Sequence, residues 1–179
     1  MYWIMSEDTV VLKWVRRLLV TGFVVGWLFA YNGINWFSIS WHSPVTYLFV
    51  HGNIVHFIIN IIAFTRLGCV MADIYGETKV VGLFFVTGSL AGVISSLIYS
   101  NMAGMEGAQI VGCSGAIFGW LGYMVHDIKN LHHADKVLTM QNILLINIGL
   151  VLNPNAIIIH AAGFVIGFAI NAITTARTA

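Results

Sequence analysis

Gly112-Cys113-Ser114-Gly115-Ala116-Ile117-Phe118-Gly119 places a serine hydroxyl among small and apolar residues, in a chain that is nearly all apolar around it. A histidine, His160, lies on a later apolar stretch and is followed by Gly163 and Gly167. Each polar group left unpaired in hydrocarbon costs several kcal/mol. A nucleophile and a base held there have no ordinary packing purpose, so the pair points to chemistry.

The surroundings are membrane-like throughout. Of 179 residues, 59% are hydrophobic and 8% charged, against roughly 25% charged in an ordinary soluble domain. Such a chain cannot cover a water-facing surface. It is expected to be a polytopic membrane protein folded as one all-α transmembrane domain over residues 1–179. A net charge of +1 offers nothing to nucleic acid. Lys13, Arg16 and Arg17 read as an anchor on the cytoplasmic side. The stretch Leu18 to Ala30 behind them is expected to be a first, uncleaved span, because no convincing small-residue cleavage site follows. The two cysteines, Cys69 and Cys113, lack metal spacing and suggest no disulfide framework. Cys113, beside the serine, reads as a small buried filler. No metal and no cofactor are expected.

Six apolar stretches can be drawn, at 12–31, 45–65, 80–99, 113–126, 139–152 and 156–174. Several fall short of the roughly 20 residues that cross a bilayer. Charge placement decides the count. In a six-span arrangement all eight Lys and Arg residues fall on one side. The loops near 32–44, 100–112 and 153–155 hold none, so both termini are expected to be cytoplasmic. Arg66 follows an unbroken apolar run. It either snorkels to the inner surface or pairs with Asp73 or Glu77.

At 1.5 Å per helical residue, Ser114 lies about 22 Å above the inner boundary and His160 about 25 Å above it. In a core about 30 Å thick, both sit a few ångströms below the outer face. Glycines four apart, Gly115/Gly119 and Gly163/Gly167, let the two helices approach closely. Gly88 and Gly92, on the third stretch, read as packing alone.

His56 and Asn60 are four apart and share a helix face at similar depth, whereas His51 points elsewhere, near the outer surface. These residues compose an acyl-transfer site. Ser114 is the expected nucleophile and His160 the base that takes its proton. The Ser114 N–H at a helix start, with the His56 and Asn60 side chains, is expected to hold the oxyanion. All seven Asp and Glu residues (Glu7, Asp8, Asp73, Glu77, Glu106, Asp127 and Asp135) fall in loops or termini, so no acid completes a triad. His160 must then be oriented by packing. Phe118, one turn after Ser114, either stacks on the imidazole or serves as ordinary core. The missing carboxylates also weaken an aspartyl protease or an ion transporter, and no HExxH signals a zinc enzyme.

In His51-x4-His56-x3-Asn60, Gly112-x-Ser114-Gly115-x3-Gly119 and His160-x2-Gly163-x3-Gly167, the chain resembles the rhomboid intramembrane serine proteases over residues 41–170. The resemblance implies a six-transmembrane-helix bundle with a Ser114–His160 dyad in a cavity that opens outward. It implies an oxyanion hole of His56, Asn60 and the Ser114 amide, with Gly112 and His51 in support and Phe118 under the histidine. It also implies single-span membrane protein substrates, cut near the outer face of the bilayer where their helix is unstable and a small residue precedes the cut. The expected location is a plasma membrane, a bacterial inner membrane in particular. Some features depart from the family. The first outer loop is short, its usual Trp-Arg pair reads Trp41-His42, and the last outer connection is little more than Asn153-Pro154-Asn155. Ala72 stands where an acidic residue is usual, with Asp73 beside it. No soluble domain is expected ahead of the core. A non-catalytic rhomboid-like scaffold or chaperone that binds transmembrane helices is the alternative from another class, and a small transporter or channel component is a third.

Overall fold

The run that begins at Ser114 forms the centre of the molecule. The computed structural model describes residues 10–31, 43–102, 110–133, 135–137, 139–141, 144 and 156–176, and among them there is no strand. The helices are α1 (Val10–Tyr31), α2 (Ser43–Thr46), α3 (Ile54–Tyr75), α4 (Glu77–Ser100), α5 (Ser114–His126) and α6 (Ile157–Ala176). A 3-10 turn, Tyr47–Phe49, continues α2. α3, α4 and α6 are long and apolar enough to cross a bilayer.

α5 is only 13 residues long, and every residue from Ser114 to Met124 is buried. A helix that is apolar all round belongs inside other helices, and α4 and α6 pack against it. The close fit comes from glycine. A Cβ at Gly163 would meet the Gly115 carbonyl oxygen, one at Gly167 the Gly119 carbonyl oxygen, and one at Gly122 the Phe164 carbonyl oxygen. The two backbones are therefore in contact, which is how small residues bring helices together without a hydrophobic drive between them. Gly119 takes the Thr87 side chain of α4 on its other flank.

Polar groups inside the bundle are tied across helices. Asn171 Nδ2 donates to the Tyr123 carbonyl at 2.8 Å, and Trp120 Nε1 donates to the Val80 carbonyl at 2.9 Å. Thr87 Oγ1 returns to the Leu83 carbonyl of its own helix at 2.7 Å. Each bond removes a donor that would otherwise be stranded in an apolar setting.

The second apolar stretch differs from its expected 45–65. Its first part is the separate α2 and 3-10 turn, and the long helix begins at Ile54 and runs to Tyr75. Asn53 makes the break: its side chain accepts the His56 N–H at 2.8 Å from an extended N-cap backbone. Arg66 lies inside α3 and donates to Gln141 Oε1 at 3.3 Å. Asp73 and Glu77 are not loop residues either; they fall in the last turn of α3 and the first turn of α4.

Glu77 Oε1 accepts the Val11 and Leu12 N–H groups at 2.7 and 3.2 Å, covering donors at the start of α1. Tyr75 OH donates to Asp127 Oδ2 at 3.2 Å, and Lys79 Nζ lies 4.9 Å from the centre of the Tyr123 ring. The start of α1, the α3–α4 turn and the C-terminus of α5 thus meet at one end of the bundle. The starts of α3, α5 and α6 lie at the other. The fifth apolar stretch, 139–152, lies largely outside the described residues, as do Trp41, His42, Glu106, Arg177 and the Asn153-Pro154-Asn155 connection.

Candidate active site

The site is assembled around the first turn of α5. Gly112, two residues before Ser114, has φ +96°, a left-handed conformation that suits glycine. A Cβ there would stand 2.7 Å from His56 Cε1, so glycine is needed for space as well as for conformation. The Gly112 N–H donates to the Tyr47 carbonyl at 3.0 Å. Cys113 occupies the N-cap position and offers no side-chain cap. The first-turn N–H groups of α5, that of Ser114 among them, thus receive no bond from the cap side chain. They also carry the positive end of the helix dipole.

Ser114 Oγ and His160 Nε2 are 2.8 Å apart and in hydrogen-bond contact, although 46 residues separate them in the chain. Both side chains are buried. The Gly163–Gly115 backbone contact lies one turn along α6 from His160 and brings the two helices together beside the pair. His160 Nδ1 has no hydrogen-bond partner among the described residues. Its ring lies on Phe118 instead, with centroids 4.2 Å apart and planes within 14°. Of the two readings of Phe118, a stack on the imidazole or ordinary core, this geometry is that of a stack.

His56 and Asn60 occupy the opening turns of α3. Asn60 Nδ2 donates to the His56 carbonyl at 3.0 Å, while its buried Oδ1 has no partner among the described residues. One Nδ2 hydrogen is thereby held by its own helix and the other is left for a second acceptor. His51, whose spacing suggested that it points away from His56, instead faces it. It is buried, with its ring 5.2 Å from that of His56 and 5.3 Å from that of Phe57. Its Nε2 lies 3.9 Å from Cys113 Sγ. The cause is the bend at Gly52 and Asn53, which turns the chain back before α3 begins. Cys113 is fully buried, as a small filler should be.

Ser114, His160, Phe118, Gly112, His56, Asn60 and His51 therefore gather at the same end of the bundle. An alcohol hydrogen-bonded to an imidazole, beside uncapped N–H groups, is suited to moving a proton off oxygen and receiving negative charge nearby. No group of three or more His, Cys, Asp or Glu among the described residues is arranged to hold a metal ion. Two residues of this end escaped the sequence reading. Asn53 had a visible signal, a capping residue three before His56. Tyr47 had none, because its partners are 41 and 65 residues away.

Comparison with known proteins covers most of the chain. The family model for the rhomboid domain matches residues 38–177. RHOMBOID-like protein 4 of Arabidopsis thaliana is 31% identical over 126 residues, which is 66% of this chain and 30% of the relative. RHOMBOID-like protein 1 of the same plant is 29% identical over 129 residues, 69% of this chain and 32% of the relative. Rhomboid-like protease 2 of Toxoplasma gondii is 29% identical over 87 residues, 49% of this chain and 29% of the relative. The chain spans about a third of the length of these curated relatives.

Proposed function

The chain belongs to the rhomboid family of membrane proteins, and from that premise we propose that it is an intramembrane serine endopeptidase. The observation that carries this reading is the 2.8 Å contact between Ser114 Oγ and His160 Nε2. Ser114 Oγ attacks the scissile carbonyl carbon while His160 Nε2 takes the hydroxyl proton. The carbonyl oxygen becomes an oxyanion, held by the Ser114 N–H, the His56 ring and the free Asn60 Nδ2 hydrogen. The intermediate collapses, the C–N bond breaks, and His160 returns the proton to the leaving amine. A water then attacks the acyl-serine, again losing its proton to His160, and the serine is restored.

No carboxylate is assigned a part in this cycle. With no partner for Nδ1 among the described residues, the imidazole is aimed by its stack on Phe118 and by the backbone fit of α6 on α5. The substrates are single-span membrane proteins, cut near the outer face of the bilayer. The protein resides in a plasma membrane, such as a bacterial inner membrane. It crosses it several times, with both termini on the cytoplasmic side and the Ser114 end of the bundle outward. A scaffold that only binds transmembrane helices would have no use for a serine and a histidine in this geometry, and that contact favours the protease.

Purified protein incubated with a model single-span substrate tests the proposal. Wild type should cleave it. Ser114→Ala and His160→Ala should each lower cleavage by more than about 10³-fold at unchanged helicity and melting temperature. Undiminished cleavage in either variant removes the dyad. Specific helix binding by wild type without proteolysis points to the scaffold, and solute flux in proteoliposomes to a transporter.

A further inference from the structure

Tyr47 is bonded to two separate parts of the site end, and no step of the proposed cycle uses it. Its phenol donates to the Gly88 carbonyl of α4 at 2.7 Å, in a buried bond. Its carbonyl accepts the Gly112 N–H at 3.0 Å. Its ring fills a slot left by a glycine: a Cβ at Gly92 would lie 2.6 Å from Tyr47 Cε1. A Cβ at Gly115, the residue after Ser114, would lie 3.4 Å from the Tyr47 hydroxyl. The neighbouring Leu48 side chain approaches Gly88 in turn, within 2.8 Å of a Cβ built there.

The connection runs as follows in physical terms. The 3-10 turn that carries Tyr47 is three residues long and packs on α1, where Phe49 lies against Gly22. The phenol–Gly88 bond fastens it to α4, a 24-residue helix packed on α5. The fastened turn presents the Tyr47 carbonyl, which in turn holds Gly112. Gly112 touches the His56 ring on one side and leads directly into the Ser114 N–H on the other. Two groups assigned to the oxyanion, from α3 and α5, therefore have their separation set through one amide that Tyr47 grips.

We infer that Tyr47 is a positioning residue for the oxyanion pocket: its hydroxyl locks the 3-10 turn to α4, so that its carbonyl holds Gly112 between His56 and the Ser114 amide. The inference rests on the protease reading. A pocket that is misplaced rather than emptied loses less than one deprived of a donor, for which about 10²–10³ is usual. Tyr47→Phe, which keeps the ring and removes only the hydroxyl, should therefore lower kcat about tenfold and leave KM unchanged. Gly92→Ala, which pushes on the ring from α4, should reproduce that loss with the hydroxyl still present.

The experiment measures kcat and KM for the model substrate in wild type, Tyr47→Phe, Gly92→Ala, His56→Ala and the Tyr47→Phe/His56→Ala double variant. Rates are normalised to the fraction of protein labelled by a fluorophosphonate, so that unfolded molecules do not count. Normalised losses in kcat alone, with the double variant less impaired than the product of the two single losses, support the inference. Wild-type kcat in Tyr47→Phe or in Gly92→Ala, a loss confined to melting temperature, or strictly multiplicative effects overturns it. Wild type that neither cleaves nor labels overturns the protease reading instead, so the two failures are told apart.

Discussion

The two ends of this bundle are built on opposite rules. At the end away from Ser114, charged and polar groups find partners: Glu77 covers the start of α1, Tyr75 reaches Asp127, and Lys79 lies over two aromatic rings. At the Ser114 end, buried polar atoms find no partner among the described residues, His160 Nδ1 and Asn60 Oδ1 among them, and glycines bring backbones into contact. A protein interior ordinarily satisfies its buried polar groups. The end that does not is held together by shape.

That contrast can be broken from either side. The largest effect should come from the glycine contact. Gly167→Val places a branched side chain against the Gly119 carbonyl and should lower stability by about 3 kcal/mol. It should also abolish cleavage by separating His160 from Ser114. Thermal unfolding and substrate turnover of the same preparation read both. Retained activity at normal stability would show that α5 and α6 need not touch.

Asn60→Ala comes next. It should slow turnover by about 10²-fold without ending it, because two oxyanion donors remain. Complete loss at normal folding would assign Asn60 another task. Phe118→Leu should cost less, about tenfold in kcat, since the stack is worth about 1 kcal/mol and aims the imidazole. Phe118→Tyr, which keeps a ring on His160, should stay near wild type. The smallest effect is expected at the opposite end. Tyr75→Phe removes one hydrogen bond, should cost about 1 kcal/mol of stability, and should leave kcat within about twofold. A kcat loss there as large as that of Asn60→Ala would erase the distinction between the two ends.

Much of this was readable before any coordinates. Ser114 and His160 could be set at one depth because helical rise is constant, and Gly115/Gly119 and Gly163/Gly167 indicated which helices meet. His56 and Asn60 follow from four-residue spacing on α3. What stayed hidden depends on where a helix starts. The 45–65 stretch reads as continuous apolar sequence, yet Asn53 caps a new helix there, which turns His51 inward against His56 and Cys113. Arg66 was ambiguous because its partner, Gln141, is 75 residues away. Tyr47 carries no local signal; its carbonyl and its hydroxyl engage two other parts of the chain.

The most direct measurement is the location of a fluorophosphonate adduct by mass spectrometry of intact and digested protein, wild type beside His160→Ala. The expected result is one adduct per chain on Ser114 in wild type and its near-complete loss in His160→Ala, because the alcohol is activated only by the imidazole beside it. An adduct on another residue, or equal labelling of Ser114 without His160, would contradict the account.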